Sequence, residues 1–245
     1  MSNATMASSF NFSDKVVLVT GVARIGQIGH SIAEAFGLAG ARIVAADRNA
    51  VAVAERVKEF KARGIEARPA AGDLTEADIA DLAVETAIKN FGRLDTLVNV
   101  AGGLTTFGPL EGIAPDAFDR EIAINLKTTY LMSRACLPRL LESRGCIVNF
   151  ASAAVLSPAA DLTVYSAAKA AVAGFTRSLA VELAHRGVRV NAVAPEMVRT
   201  TENVAAVGDG GSFVEMRDIV NAVMFLASDA AAAITGHVLP VTNGD

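Results

Sequence analysis

The feature that most restricts the fold is an alternation between short apolar, β-branched runs and longer stretches with helical spacing. KVVLVT at residues 15–20 reads as a buried strand, and residues 29–38 as the helix that follows. The pattern repeats: strand 42–46, charged amphipathic helix 51–63, strand 65–71, helix 76–91, strand 96–100, long helix 115–142, strand 146–150, helix 165–186, strand 188–193, helix 213–227 and strand 237–241. Thr75 suits the cap of the 76–91 helix and Gly92 its stop. Residues 201–211, ending GDGG, read as a loop. Strands apolar at nearly every position offer no face to water. They belong in a parallel sheet covered on both faces by the intervening helices. The expectation is an α/β chain with a doubly wound parallel sheet of about seven strands.

With 245 residues, 52% of them apolar, the chain suits one domain with a packed core. Residues 1–11 read as a flexible tail and 12–245 as the single domain. There is no Trp, and aromatics are 5%, so Ala, Val, Leu and Ile must build the interior. The 22 basic and 26 acidic residues give a net charge of −4, with no basic stripe, which argues against nucleic acid as a partner. Cys136 and Cys146 form no metal or redox pattern and read as buried apolar fillers. His30, His185 and His237 are scattered, so no metal site is expected. The longest uncharged stretch, 145–160, is interrupted by Asn, Ser and Pro, and a bilayer span needs about 20 apolar residues. The start lacks a basic segment followed by an apolar one. No membrane association is expected, and the sparse cysteines fit a cytoplasmic location.

Strand 15–20 runs into Thr20-Gly21-Val-Ala-Arg-Ile-Gly26-Gln27-Ile28-Gly29 and then a helix. Glycines in such a turn let backbone approach a pyrophosphate, and the helix start offers free N–H groups and the positive end of a dipole. Alone the pattern also fits a plain tight turn. Its place between a strand and a helix favours dinucleotide binding. Asp47, at the end of the second strand, can accept hydrogen bonds from both ribose hydroxyls of NAD and would repel the 2′-phosphate of NADP. It can equally be a solvated loop acid. Arg48 beside it could pair with a 2′-phosphate, so NAD is preferred and NADP is not excluded.

Tyr165 and Lys169 in YSAAK are four residues apart, on one face of a helix. A free tyrosine, with a pKa of about 10, is a poor base at neutral pH. A lysine charge about 4 Å away is worth roughly 4 kcal/mol at an effective dielectric of 20, about three pH units toward phenolate before screening. Such a tyrosine suits alcohol–ketone proton transfer. The same pair also fits an ordinary amphipathic helix.

The motifs, taken in order, resolve this. The glycine turn is followed by Asp73 in GDLT, Asn99-Val100-Ala101-Gly102, Asn125 in INL and Ser152 in IVNFAS, thirteen residues before Tyr165. YSAAK, VNAVAP ending at Pro195, and ITGHVLPV complete the series. From about Phe12 onward the chain resembles the main, ketoreductase-type branch of the short-chain dehydrogenase/reductase family. The resemblance implies a single-domain Rossmann-type fold and an NAD(P)-dependent oxidoreductase acting on CH–OH groups. Tyr165 would be the general acid in ketone reduction and the base in alcohol oxidation. Lys169 would hold the nicotinamide ribose and lower the Tyr165 pKa. Ser152 would bind the substrate oxygen. Asn125 would anchor a water leading from Lys169 to solvent, or simply bend its helix. Gly21, Gly26, Gln27, Ile28, Asp47, Arg48, Asp73, Leu74, Asn99, Ala101, Gly102, Tyr165, Lys169, Pro195, Val198 and Thr200 would line the cofactor. Within that set, Asp73 and Leu74 would face adenine, Asn99 and Gly102 the adenosine side, Val198 the nicotinamide amide through its backbone, and Thr200 the phosphates. Asp73 also fits a helix cap, and Val198 and Thr200 a plain loop. A homo-oligomer, a tetramer, is implied, and the small residues Ala167, Ala168, Ala170, Ala171, Ala173 and Gly174 suit a helix that packs on sheet and partner together.

The chain departs from the family pattern in several places. The glycine turn is two residues longer, with Gln27 where the second glycine belongs, and it resembles the enoyl-reductase branch. Pro195-Glu196 replaces Pro-Gly, and the 201–213 segment, usually a substrate lid, is short. The chain ends Thr-Asn-Gly-Asp rather than in a Gly-Gly pair. Two alternatives follow. One is a 3-oxoacyl carrier-protein reductase using NADPH, disfavoured by Asp47 and Val181. The other is a non-catalytic nucleotide-binding protein, motivated by Gln27 and Glu196 and opposed by the intact Asn125, Ser152, Tyr165 and Lys169. The substrate is expected to be a small alcohol or ketone.

Overall fold

A computed structural model describes residues 10–243. The elements are β1 (Val16–Thr20), α1 (Ile28–Leu38), β2 (Arg42–Asp47), α2 (Ala50–Ala62), β3 (Ala67–Ala71), α3 (Ala77–Phe91), β4 (Thr96–Asn99) and α4 (Pro115–Ile122). There follow α5 (Thr128–Ser143), β5 (Cys146–Phe150), α6 (Thr163–Leu183), β6 (Arg189–Pro195), α7 (Thr201–Val207), α8 (Met216–Ala227) and β7 (Val238–Val241). The seven strands form one parallel sheet in the order β3-β2-β1-β4-β5-β6-β7. The order reverses between β1 and β4, so the loops leaving their carboxyl ends part and open a crevice there.

Both faces of the sheet are covered, as the continuous apolar strands require. Val17 and Val19 of β1 point into the layer of α1, α2 and α8, while Val16 and Leu18 point toward α3, α5 and α6. Under α6 the packing relies on alanine: Ala173 lies on Ala151, Ala192 and Ala194. Cys136 and Cys146 are both buried and unpaired. The edge strands β3 and β7 each contain a proline, Pro69 opposite Ala45 and Pro240 opposite Ala194. Proline has no N–H for a further ladder bond, which suits an edge. Phe12 is buried, edge-on to Phe36 at 4.7 Å, and Phe10 packs beside it. Residues 1–9 of the expected tail, and Gly244 and Asp245 of the terminal pattern, lie outside the described residues.

Four local expectations need correction. The helix expected over 115–142 is two, α4 and α5, joined by a π turn at Ala123–Lys127. Asn125 Nδ2 bonds the Glu121 carbonyl one turn back and competes with the helix ladder, a known cause of such bulges. The loop expected at 201–211 begins with helix α7, capped by Thr200 Oγ1 accepting from Asn203 N–H at 3.1 Å. The last helix begins at Met216, because Val214 pairs with Val198 as a parallel bridge. Thr75 does not cap α3; it donates its N–H and hydroxyl to Asp73 Oδ1 at 3.0 and 2.8 Å, and Glu76 precedes the helix.

Candidate active site

The glycine turn sits over the carboxyl ends of β1 and β4. Gly21 has φ +75°, and a Cβ there would come within 3.2 Å of the Ala101 nitrogen. A Cβ on Gly29 would lie 2.3 Å from the Gly21 carbonyl oxygen, so glycine lets α1 start directly beneath the turn. Gly26, at φ +69°, faces open space. Gln27 occupies the cap position of α1 without a side-chain cap bond, so no side chain satisfies the first N–H groups of that helix. An uncapped helix start behind a turn where Gly21 and Gly29 leave no room for a Cβ is a good fit for a dinucleotide pyrophosphate. Asp47 Oδ2 accepts from Ala23 N–H and Oδ1 from Asn49 N–H, both at 3.0 Å, which holds the carboxylate against the turn. Arg48 beside it is exposed. Arg24 in the lengthened turn pairs with both oxygens of Glu202 on α7, at 2.6 and 2.7 Å.

Across the crevice, Thr20 Oγ1 accepts from the N–H groups of Val100 and Ala101 at 2.9 and 2.8 Å and ties β1 to the loop after β4. Asn99 turns its side chain inward, donating to Asn149 and Ser133. Asn149 in turn donates to Thr176 of α6 at 2.9 Å. Gly102 lacks the Cβ that would sit 2.6 Å from Asn125 Oδ1. Asn125 can therefore exchange two bonds with Gly103, accepting its N–H at 3.1 Å and donating to its carbonyl at 3.0 Å. On the rim beside β3, Asp73 is exposed and Leu74 buried. The Thr75 backbone N–H, followed by its hydroxyl, holds the Asp73 carboxyl below its ordinary range.

Tyr165 and Lys169 lie on the inner face of α6, and Ser152 opens the loop after β5. The Lys169 ammonium donates to the Phe150 carbonyl at 3.0 Å and stands 5.9 Å from the Tyr165 ring centre. Burial pulls its pKa down to about 8, partly opposed by Glu121. Burial likewise pushes the Tyr165 phenol above its ordinary value; a hydrogen bond with Ser152 opposes this, and Glu121 reinforces it. The downward push on Tyr165 expected from Lys169 is not found. The ammonium donates instead to the Phe150 backbone carbonyl. Ser152 Oγ also accepts from Ala154 N–H at 3.2 Å, which fixes its rotamer.

The third wall follows β6. The Val198 carbonyl accepts from Thr200 N–H and Asn203 Nδ2, both at 2.8 Å, so only its N–H side remains for a ligand. The Thr200 hydroxyl, acting as the α7 cap, keeps its hydrogen to donate. Glu196, in the place of the usual glycine after Pro195, accepts from Asn243 N–H at 3.2 Å, and Asn243 Nδ2 donates to the Phe213 carbonyl at 2.8 Å. Through Asn243 its carboxylate links the C-terminal segment to the loop before α8.

The model of the short chain dehydrogenase family matches residues 15–210. This chain is a short-chain dehydrogenase/reductase. It is 37% identical to the (2S)-[(R)-hydroxy(phenyl)methyl]succinyl-CoA dehydrogenase subunit BbsD of Thauera aromatica, covering 94% of this chain and 96% of the relative. It is 37% identical to the D-threitol dehydrogenase of Mycolicibacterium smegmatis (96% and 94% covered). It is 36% identical to the 3-oxoacyl-[acyl-carrier-protein] reductase FabG of Vibrio harveyi (96% and 98%). A solved short-chain type dehydrogenase/reductase from Mycobacterium ulcerans superposes with a TM-score of 0.90 at 29% identity, covering 96% of this chain and 90% of that one. Members of the family are oxidoreductases of alcohol and keto groups that work with nicotinamide cofactors. Among the described residues, no group of three or more His, Cys, Asp or Glu could hold a metal ion, and no helix is long and apolar enough to cross a membrane.

The fold gathers Asn125, Ser152, Tyr165 and Lys169 on one side of the crevice and the glycine turn with Asp47 on the other. Two participants escaped the sequence reading. Thr20 was visible only as the residue before Gly21. Glu121 carried a signal that was passed over, a carboxylate one helical turn before Asn125.

Proposed function

We propose that this short-chain dehydrogenase/reductase interconverts a small secondary alcohol and its ketone, with Tyr165 moving the proton and NAD as the preferred cofactor. The observation that carries the reading is the half-buried Tyr165, its phenol hydrogen-bonded to Ser152 and one helical turn from Lys169, at the same rim as the glycine turn. When bound, the nicotinamide supplies or accepts the hydride. Gly21, Gly26, Gln27 and Ile28 would carry the pyrophosphate with Thr200, Asp47 the ribose hydroxyls, and Val198 the carboxamide. Both Asp47 oxygens keep a lone pair after their backbone bonds, which supports the NAD preference.

In reduction, Ser152 orients the ketone oxygen by donating to it, and Tyr165 O–H gives its proton as negative charge develops there. The phenol, held protonated by burial, is ready for this direction at neutral pH. In oxidation Tyr165 must first lose its proton, so the rate should rise toward alkaline pH. A second reading, an NADPH-dependent 3-oxoacyl carrier-protein reductase, is kept open by the Vibrio harveyi relative and the exposed Arg48.

The test pairs Tyr165→Phe with fluorescence titrations of NADH and NADPH. The variant is expected to bind NADH as the parent does and to lose at least about 100-fold in turnover. Undiminished turnover would reject the mechanism. Tighter NADPH than NADH binding would move the cofactor reading from Asp47 to Arg48.

A further inference from the structure

Glu121 is fully buried, in a chain whose other carboxylates at this rim reach solvent. Its Oε2 accepts from the Thr105 N–H at 2.9 Å and the Thr105 hydroxyl at 2.5 Å, and its Oε1 accepts from Asn125 Nδ2 at 3.0 Å. Both oxygens face hydrogen-bond donors, a setting that suits a carboxylate. Thr105 sits in the loop that leads out of β4, and Asn125 is the pivot of the π turn, so one side chain locks two walls of the crevice together. α4, which carries Glu121, packs on α6, the helix of Tyr165 and Lys169.

We propose that Glu121 is a positioning residue for the proton-transfer site, pinning Asn125 and the Thr105 loop and placing a fixed negative charge beside Tyr165 and Lys169. This rests on the reading of Tyr165 as the proton-transfer group. The surroundings leave few other charges to do the work. Residues 101–110 contain nothing ionisable. On α4 itself, Arg120 lies outside and pairs with Asp116. Lys127 of the π turn is exposed. On α6 the ionisable groups facing inward are Tyr165 and Lys169, and Glu121 acts on both in the same sense, favouring the protonated form of each. The consequence is a site biased toward Tyr165 as acid, and so toward ketone reduction.

Two tyrosines and no tryptophan make the effect directly visible. Tyrosinate absorbance of the whole chain, followed against pH, needs no substrate. Exposed Tyr130 serves as the internal reference, and Tyr165→Phe assigns the second step. Glu121→Gln and Glu121→Leu should each lower the Tyr165 midpoint by about one pH unit, while Glu121→Asp should leave it close to the parent's. An unmoved midpoint in either folded neutral variant would overturn the proposal and leave a merely structural carboxylate. In the unaltered chain, carbon-13 carboxyl spectra should show Glu121 ionised at neutral pH; a protonated Glu121 would overturn the proposal without any variant. The two readings fail separately. Turnover surviving Tyr165→Phe removes the catalytic assignment but not the titration shift, and a missing shift removes Glu121 but not the assignment.

Discussion

Lys169 carries a cost as well as a role. Its folded pKa, about 8, lies below the ordinary 10.5 because burial penalises the ammonium. Between those values the unfolded chain holds a proton that the folded chain has released, so stability rises with pH across that window and the penalty is complete below it. Lys169→Met is therefore expected to stabilise the fold by about 2 kcal/mol at neutral pH, with the gain fading toward alkaline pH. It should abolish turnover at the same time. Urea unfolding of parent and variant at neutral and alkaline pH checks both signs; a variant no more stable than the parent at neutral pH would refute the account. At this scale the sequence was informative about identity and poor on state. Tyr165, Lys169, Ser152 and Asn125 could be named from spacing and motif order. The direction of the Tyr165 shift could not, because it depends first on burial, which has no local signature, and then on Glu121, which reaches Tyr165 only through the packing of α4 on α6.

Among the elements, strands and long helices were legible because each buries a continuous face and so writes its period into the chain. α7 was not. It has seven residues and ends at Gly208, and its cap lies in a segment whose glycines dominate the pattern. The π turn was missed for a different reason, since its five residues lie within one unbroken helical run from Pro115 to Ser143. Besides the Asn243 bonds, the segment after α7 is tied down by Arg199. Arg199 donates to Asp209 at 2.6 Å and Glu215 at 3.0 Å and lies 4.6 Å over the Phe213 ring. These contacts are exposed, so Arg199→Ala should leave the melting temperature nearly unchanged. Amide exchange in α7 and the loop after it should accelerate, roughly tenfold or more, and the KM for the cofactor should rise. Exchange indistinguishable from the parent's would show that the segment is ordered by other means.

For the molecule as a whole, the parallel seven-stranded plan was readable because apolar strands separated by helices leave few other arrangements. The tetramer is a separate matter, resting on the family resemblance and on the outer face of α6. There Ala167, Ala170, Gly174 and Val181 are exposed, and Tyr130 of α5 meets Phe175 edge-on at 6.5 Å. A Cβ on Gly174 would meet nothing within 4 Å in the single chain. Gly174→Arg should thus leave each subunit folded but break the association that sedimentation is expected to show at micromolar concentration. A parent that sediments as a monomer would reject the prediction. Pro69 and Pro240 sharpen the point. Each outermost strand has a gap in its row of donors, and an incoming strand would find no continuous template on either flank. Growth of the sheet from chain to chain is discouraged at both margins, so self-assembly is left to helix faces, where it can close on itself as a finite particle rather than run on as a fibre.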